Sequence, residues 1–404
     1  MIKTQCCIVG GGPAGMMLGF LLARAGVSVV VLEKHGDFLR DFRGDTVHPS
    51  TLNVMDELGL LDEFLKLPHH KIQHFAGFFG DTRVQIADLT HLPVRAPYIA
   101  MMPQWDFLDF LKSHGAAYAG FKVLMHGEAK ALIEEDGKVV GVRATVDGAP
   151  QEIRADLVVG ADGRHSTVRE AMGFKARDLG APMDVLWFRL THKPGDAGEV
   201  MGRFDAGSVL VMLDRGDYWQ CAYVIPKGSA DKVRAGGIEK VHATIGRLMP
   251  AFADRLKDEL TTVDDLKLLT VGVERLDIWW KPGVLCIGDA AHTMSPIGGV
   301  GINIAIQDAV ATSNILASPL RENRLKDADL AAVQARRLFP ARATQAAQVF
   351  LQNRIIAPSL LNAGGKIEVP FVMKLMQWFP VLRRVPARLM GMGVRPEHVR
   401  TKAA

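Results

Sequence analysis

Three clusters of glycine and acidic residues, far apart in the chain, hold the residue types from which chemistry could be built. Gly10, Gly12 and Gly15, with Pro13 and Ala14 between them, match the pattern GxGxxG. It follows an apolar run at 4–10 and opens the run 14–25, which has helical length and few β-branched residues. In such a turn the first glycine allows the sharp reversal, the second lets a pyrophosphate approach the backbone, and the third lets helix and strand pack closely. The free N–H groups and the positive dipole end of the helix then face the phosphates. Glu33 ends a second strand-like run at 28–32, and Lys34 follows it. A carboxylate there can accept hydrogen bonds from both ribose hydroxyls of an adenosine. The motif fits NAD as well as FAD, and a glycine-rich turn with a surface Glu33 is the plain alternative.

The other two clusters favour FAD. Asp162-Gly163, Ser166 and Arg169 stand in a DGxxSxxR arrangement, with an apolar strand ending at Val159 and Ser166 placed to cap a helix. In the stretch 283–303 a buried strand ends at Gly288-Asp289, which puts Asp289 where ligands of open α/β sheets sit. A carboxylate there can bond the hydroxyls of a flavin's ribityl chain. Pro296, Gly298, Gly299, Val300, Gly301, Ile302 and Asn303 then lead into a helix. Small glycines and free N–H groups would let the pyrimidine edge of a flavin approach the helix start, whose dipole favours the negative charge of the reduced ring.

These clusters need elements to hold them. The N-terminus reads as a βαβ unit. Helical patterns follow at 50–66 and 104–114, and strands at 72–87 and 98–101. Several strands lie in 121–159, split by the hairpin signals Asp136-Gly137 and Asp147-Gly148. A strand-rich stretch at 184–225, a helix near 237–258, and strands near 266–275 and 284–288 come next, with a mostly helical pattern after 299. The expected fold is α/β with an α+β insert. A Rossmann-like FAD-binding domain is assembled from 1–70, 98–180 and 266–320, an inserted β-sheet substrate domain from 71–97 and 181–265, and a helical C-terminal region from 321–404.

Composition narrows the function classes. The chain has 404 residues, 48% apolar, and a net charge of +4, too mild for nucleic-acid binding. Cys6, Cys7, Cys221 and Cys286 form no CxxC pair, so no metal site is expected and a reducing, cytoplasmic setting fits. The glycine-interrupted N-terminus reads as strand and helix rather than signal peptide, and no apolar run is long enough for a transmembrane helix.

On the three motifs, at 10–15, 160–169 and 288–303, the sequence resembles the single-component FAD-dependent aromatic hydroxylases, the group of para-hydroxybenzoate hydroxylase and the ubiquinone-biosynthesis hydroxylases. The match in order and spacing covers residues 1 to about 315. The resemblance implies that Arg43 binds the FAD pyrophosphate, Gln104 contacts the ribityl region, and Asp162 serves FAD and the incoming nucleotide. It further implies that Asp289 holds the ribityl chain while the 298–303 loop faces the isoalloxazine. Two departures stand out: Val300 where the family often has Gln, and an acidic Asp45 in a loop expected near the flavin. The implied reaction reduces FAD with NADPH or NADH, adds O2 to give a C4a-hydroperoxide, and hydroxylates a phenolic or quinol-like ring. No catalytic residue is assigned, because the family has no universal one.

The substrate is expected under the inserted sheet. His48, Trp187, Arg189, Met212, Trp219 and Tyr223 are the pocket candidates, each weighed against a plain role in the core or on a solvated face. The apolar and basic stretch 371–393 could rest on a membrane surface or simply pack on the body. The oligomer is expected to be a monomer or homodimer. A reductase or dehydrogenase acting on an isoprenoid is the main alternative. A halogenase is disfavoured because Cys221 and Tyr223 stand where that group carries tryptophans, and a non-catalytic binding module is disfavoured by the intact Gly288-Asp289 motif.

Overall fold

The computed structural model describes residues 1–39, 45–196, 200–361 and 368–404. Its central sheet has eight strands. Five run parallel in the order Val284–Cys286, Ala149–Gly160, Ile2–Val9, Val29–Leu32 and Phe121–Leu124. Their middle residues are apolar without alternation because both faces are covered. Cys6, Cys7, Ile8, Val31, Val158 and Leu285 are all buried. The helices Gln104–Gly115 and Gly301–Arg321 pack against the helix Pro13–Arg24 on this sheet. A methyl group on Gly19 would lie 2.8 Å from a Val31 methyl, so the helix crosses the strand at a distance only glycine permits.

The hairpin signals hold. Gly127–Glu135, Lys138–Val146 and Ala149–Gly160 are joined by the two-residue turns Asp136-Gly137 and Asp147-Gly148, with positive φ at all four residues. That is the backbone a tight hairpin needs. The expected helix at 50–66 is two pieces, Pro49–Glu57 and Leu61–Phe64, because Gly59 (φ 73°) ends the first. The helix expected near 237–258 is likewise split into Ile238–Leu248 and Ala253–Glu259 around Pro250.

A second sheet of seven strands runs Lys267–Leu269, Met183–Thr191, Tyr218–Pro226, Ser208–Asp214, Val200–Asp205, His74–Phe79 and Thr82–Asp88. Lys267–Leu269, expected in the nucleotide-binding segment, is instead an edge strand here, paired antiparallel with Met183–Thr191. One face of the sheet lies on Ile238–Leu248 and Ala253–Glu259. The other meets Ile297, Ile356 and Leu360. The C-terminal part is helical, with Asp327–Leu351 followed by the shorter helices Phe371–Trp378 and Arg384–Gly391. Among the described residues no helix is long and apolar enough to cross a membrane.

Candidate active site

The three glycine motifs meet at the carboxyl ends of the parallel strands. A Cβ on Gly10 (φ 105°) would lie 2.4 Å from the Ala161 carbonyl oxygen and 2.7 Å from the Asp162 Cα. Gly288 (φ 59°) sits between helices, where a Cβ would meet the Ala305 and Ala14 methyls at 3.2 and 3.3 Å. The first motif therefore touches both others, the second through a contact that leaves no room for a side chain and the third through a tight one.

Gly12 behaves differently from its neighbours. It caps the Pro13–Arg24 helix, no side chain caps that end, and a Cβ on it would meet nothing within 4 Å. The helix start thus opens on space of the kind a pyrophosphate fills. Glu33 is buried beside it and accepts the Gly11 N–H at 3.1 Å through Oε2 and the His35 N–H at 3.0 Å through Oε1. These bonds orient the carboxylate beside the helix start. Lys34 is exposed one residue on.

Asp162 accepts the Val168 N–H at 3.2 Å through Oδ2, while its Oδ1 is buried with no partner. Burial pushes the Asp162 carboxyl up. An orphaned buried acceptor at the junction of two glycine motifs fits a ligand hydroxyl donor. Ser166 caps the following helix, accepting the Arg169 N–H at 2.9 Å, as its position predicts. Asp289 is half-buried in a turn directly after the strand end. FAD is thus matched by this donor set: an open helix start, a ribose-type carboxylate, and two further carboxylates at strand ends.

The glycine loop before the last domain helix is held mainly by side chains. Gly298 and Gly299 have φ of 77° and 62°, and Val300 precedes the helix that Gly301 opens. Val300, Ile302 and Pro296 are half-buried. Asn303 is buried and turned into the protein. Its Oδ1 accepts the His48 N–H at 2.9 Å and the Thr51 hydroxyl at 2.7 Å, and its Nδ2 donates to the Thr46 and Gly299 carbonyls at 3.1 and 3.4 Å. Its side chain thus ties the 46–51 segment to the 298–303 loop. Thr46 adds a second tie, donating its hydroxyl to the Gly299 carbonyl at 2.9 Å. His48 is fully buried, with Nδ1 2.8 Å from the Met390 carbonyl. A carbonyl only accepts, so Nδ1 carries the proton. Burial lowers the His48 imidazole to about 4, so it is neutral near pH 7.

Arg43 lies outside the described residues. The pocket candidates divide by the two-residue period of a strand. Trp187 and Arg189 lie on the face that meets Ile297, opposite Ala222 and Gln220. Met212 and Trp219 are corrections: both are fully buried in the core on the other face, and Tyr223, paired with Leu186, packs against that same core. The Trp219 indole donates to Asp196 Oδ2 at 2.9 Å. Aromatic type marks a strand as half-buried without marking which face the ligand takes.

Two residues absent from the sequence-based candidates fill the near face. Arg215, in the turn after Ser208–Asp214, is buried and paired with Asp45, and its Nε donates to Gln220 Oε1 at 2.9 Å. Asp45 also accepts the Gln104 N–H at 3.3 Å, and its carbonyl accepts the Met102 N–H at 3.1 Å. Burial raises the Asp45 carboxyl, against the opposing pull of Arg215, the Gln104 N–H and Arg189. Gln104 thus acts here through its backbone on Asp45. A buried ion pair therefore bridges the loop before the glycine corner and the second sheet. Its partners are 170 residues apart, so only the unusual Asp45 hinted at it.

Behind the Gly288-Asp289 turn lies a second buried network. Asp308 accepts the Gly288 N–H at 3.0 Å, faces His292 Nε2 at 2.6 Å and accepts the Arg337 Nε–H at 2.8 Å. Arg337 continues to Glu397 at 3.2 Å. Burial alone would raise the Asp308 carboxyl, but His292 and Arg337 hold it below the usual range. Among the described residues no group of His, Cys, Asp or Glu could hold a metal ion.

Comparison with known proteins agrees with this geometry. A family model described as FAD binding domain matches residues 3–347. The chain is 32% identical to 6-methylpretetramide 4-monooxygenase of Streptomyces rimosus, over 96% of this chain and 92% of that protein. It is 27% identical to pentachlorophenol 4-monooxygenase of Sphingobium chlorophenolicum over 75% of this chain, spanning 56% of that longer relative. The fold is similar to that of PqsL, a probable FAD-dependent monooxygenase from Pseudomonas aeruginosa, with a TM-score of 0.76 at 24% identity, covering 89% of this chain and 99% of that one.

Proposed function

The chain belongs to the FAD binding domain family, alongside flavin-dependent aromatic monooxygenases, and from that premise we propose which of its residues serve the hydroxylation of a phenolic or quinol-like ring with NADPH or NADH and O2. When bound, FAD supplies the reducing and oxygen-activating chemistry. In this proposal Gly10, Gly12, Pro13, Ala14 and Gly15 take the pyrophosphate with Arg43, and Glu33 and Lys34 take the adenosine end. Asp162, Asp289 and the Gln104 region hold the sugar chain, and the loop from Pro296 to Asn303 offers its backbone to the ring. Buried free cysteines support a reducing, cytoplasmic place for the chain.

The observation that carries the substrate reading is the polar strip on the near face of the second sheet. Arg189, Gln220 and Arg215 line up there, with Asp45 opposite. Arg189 and Arg215 place guanidinium groups on this strip, whose Asp45 end adjoins Thr46 and, through it, the flavin loop. Such a strip attracts a phenolic oxygen and favours its ionised form, and an ionised phenol is the more electron-rich ring for attack by an electrophilic oxygen. Trp187, on the same face, supplies a flat apolar neighbour. Near-full-length similarity to a monooxygenase of 6-methylpretetramide supports an aromatic substrate.

The test is a screen of phenols, quinol precursors and aromatic polyketides against the purified yellow protein. A substrate should accelerate NADPH oxidation and O2 uptake and gain one oxygen atom by mass. Arg189→Met should then raise KM for that substrate by roughly tenfold or more, with a smaller change in kcat. A product lacking new oxygen would move the chain to the reductase or dehydrogenase class. A folded protein that takes up no FAD would sink the reading altogether.

A further inference from the structure

The C-terminal segment carries a surface that neither the fold nor the flavin site uses. The helices Phe371–Trp378 and Arg384–Gly391, with the turn Pro380–Arg383 between them, pack along the strand Thr82–Asp88. Polar ties fix them there: Gln377 Nε2 donates to the Arg83 carbonyl at 3.0 Å and Arg383 Nη1 to Gln85 Oε1 at 2.9 Å. Yet the first helix and the turn bury no residue. Phe371 and Trp378 are 69% and 66% exposed, and Val372, Phe379, Val381 and Val385 are more than half exposed as well. Single exposed apolar residues are ordinary on a protein surface, but a run of large ones over fifteen positions marks an interaction site.

Charge selects the partner. Between Glu368 and Glu397 the chain carries Lys374, Arg383, Arg384, Arg388 and Arg395 and no acidic residue. Lys374, Arg384 and Arg388 are exposed, and among the described residues none of the three is in an ion pair. Two copies of the chain meeting through this surface would bring like charges together. An anionic lipid surface satisfies both features: the aromatic and aliphatic side chains enter the headgroup boundary while the cations meet phosphate. We propose that residues 371–389 seat the protein on the surface of an anionic phospholipid bilayer. This interaction stands apart from the identity of the hydroxylated substrate. The seat adjoins the flavin loop, since the Met390 carbonyl lies 2.8 Å from His48 Nδ1.

Flotation of the purified full chain with vesicles tests this. Vesicles of equal parts phosphatidylcholine and phosphatidylglycerol should carry the protein upward at low salt, and phosphatidylcholine vesicles should not. Arg384→Ala and Arg388→Ala should each weaken binding roughly fivefold. Trp378→Ser should weaken it further, and high salt should release the wild-type chain. Unchanged melting curves and far-ultraviolet spectra show that the variants are folded. Absence of flotation with the anionic vesicles overturns the proposal. So does flotation that all three variants leave intact, or a dimer in light scattering that Trp378→Ser converts to monomer.

Discussion

Two glycine turns lie at the starts of two helices, and they are built on different principles. At 10–15 the first and last glycines are pressed against backbone: a Cβ on Gly15 would fall 1.9 Å from the Gly10 carbonyl oxygen, and one on Gly10 would fall 2.4 Å from the Ala161 oxygen. At 298–301 backbone does not crowd the glycines, and the tight one is Gly299, where a Cβ would fall 2.7 Å from the Thr46 hydroxyl oxygen. A Cβ on Gly298 would meet only Val300 and Met390 side chains at 3.6 and 3.9 Å, and one on Gly301 only the Met294 Cβ at 3.8 Å. The second turn keeps its shape through Asn303 and Thr46, whose side chains bond the surrounding backbone. The first turn is therefore intolerant of an added atom at Gly10 and Gly15, while the second depends on hydrogen-bonding residues beside it.

Substitutions can break that contrast, and the largest effect belongs to the first turn. Gly15→Ala should cost more than about 5 kcal/mol, since only backbone could move out of the way. The expected outcome is little soluble protein and no yellow fraction. A well-expressed, FAD-binding Gly15→Ala variant would show that the two turns do not differ as described. Asn303→Ala should come next, near 4 kcal/mol by urea unfolding, because four hydrogen bonds of about 1 kcal/mol each are lost at a buried site. A loss below about 1 kcal/mol would mean that the loop is held by something else.

The third effect is a pH dependence from His48, which Asn303 and Met390 hold in place. Its folded value is near 4 against an unfolded value of 6.5, with burial the cause. Between those two values the unfolded chain binds a proton that the folded chain does not. Stability is thus complete above pH 6.5 and falls as pH drops towards 4, by about 3 kcal/mol in all. His48→Gln should flatten this part of the profile in urea titrations at pH 7 and pH 5. An identical slope in wild type and variant would remove His48 from the account. The smallest effect is expected for Gly298→Ala. By urea unfolding it should cost about 1 kcal/mol, the price of a positive φ without a steric clash.

The same contrast explains what could be read from the chain in advance. Asp136-Gly137 and Asp147-Gly148 announced two hairpins because a positive φ at consecutive residues has few sequence solutions. Ser166 announced its cap for a similar local reason. Met212, Trp219 and Tyr223 were drawn to the substrate pocket by type, and the alternation of their strands turned them to the helix-covered face. The alternation was visible, but its phase relative to the flavin was not. Arg215 and Gln220 escaped notice because a charged turn residue and a polar strand residue are common, and only Asp45, 170 positions away from Arg215, makes them a site.

Taken alone, the order of residues determined the features that depend on near neighbours: the glycine turns, the hairpins, the helix starts, and hence the class of cofactor. Tertiary structure decided everything that requires two distant segments to meet. It joined Gly10 to Ala161 and Gly288 to Ala14, placed Asp45 against Arg215, and ran Asp308 through Arg337 to Glu397. The physical reason is range. A backbone conformation is limited by the atoms of one or two residues, whereas a buried charge is stable only where folding brings its partner.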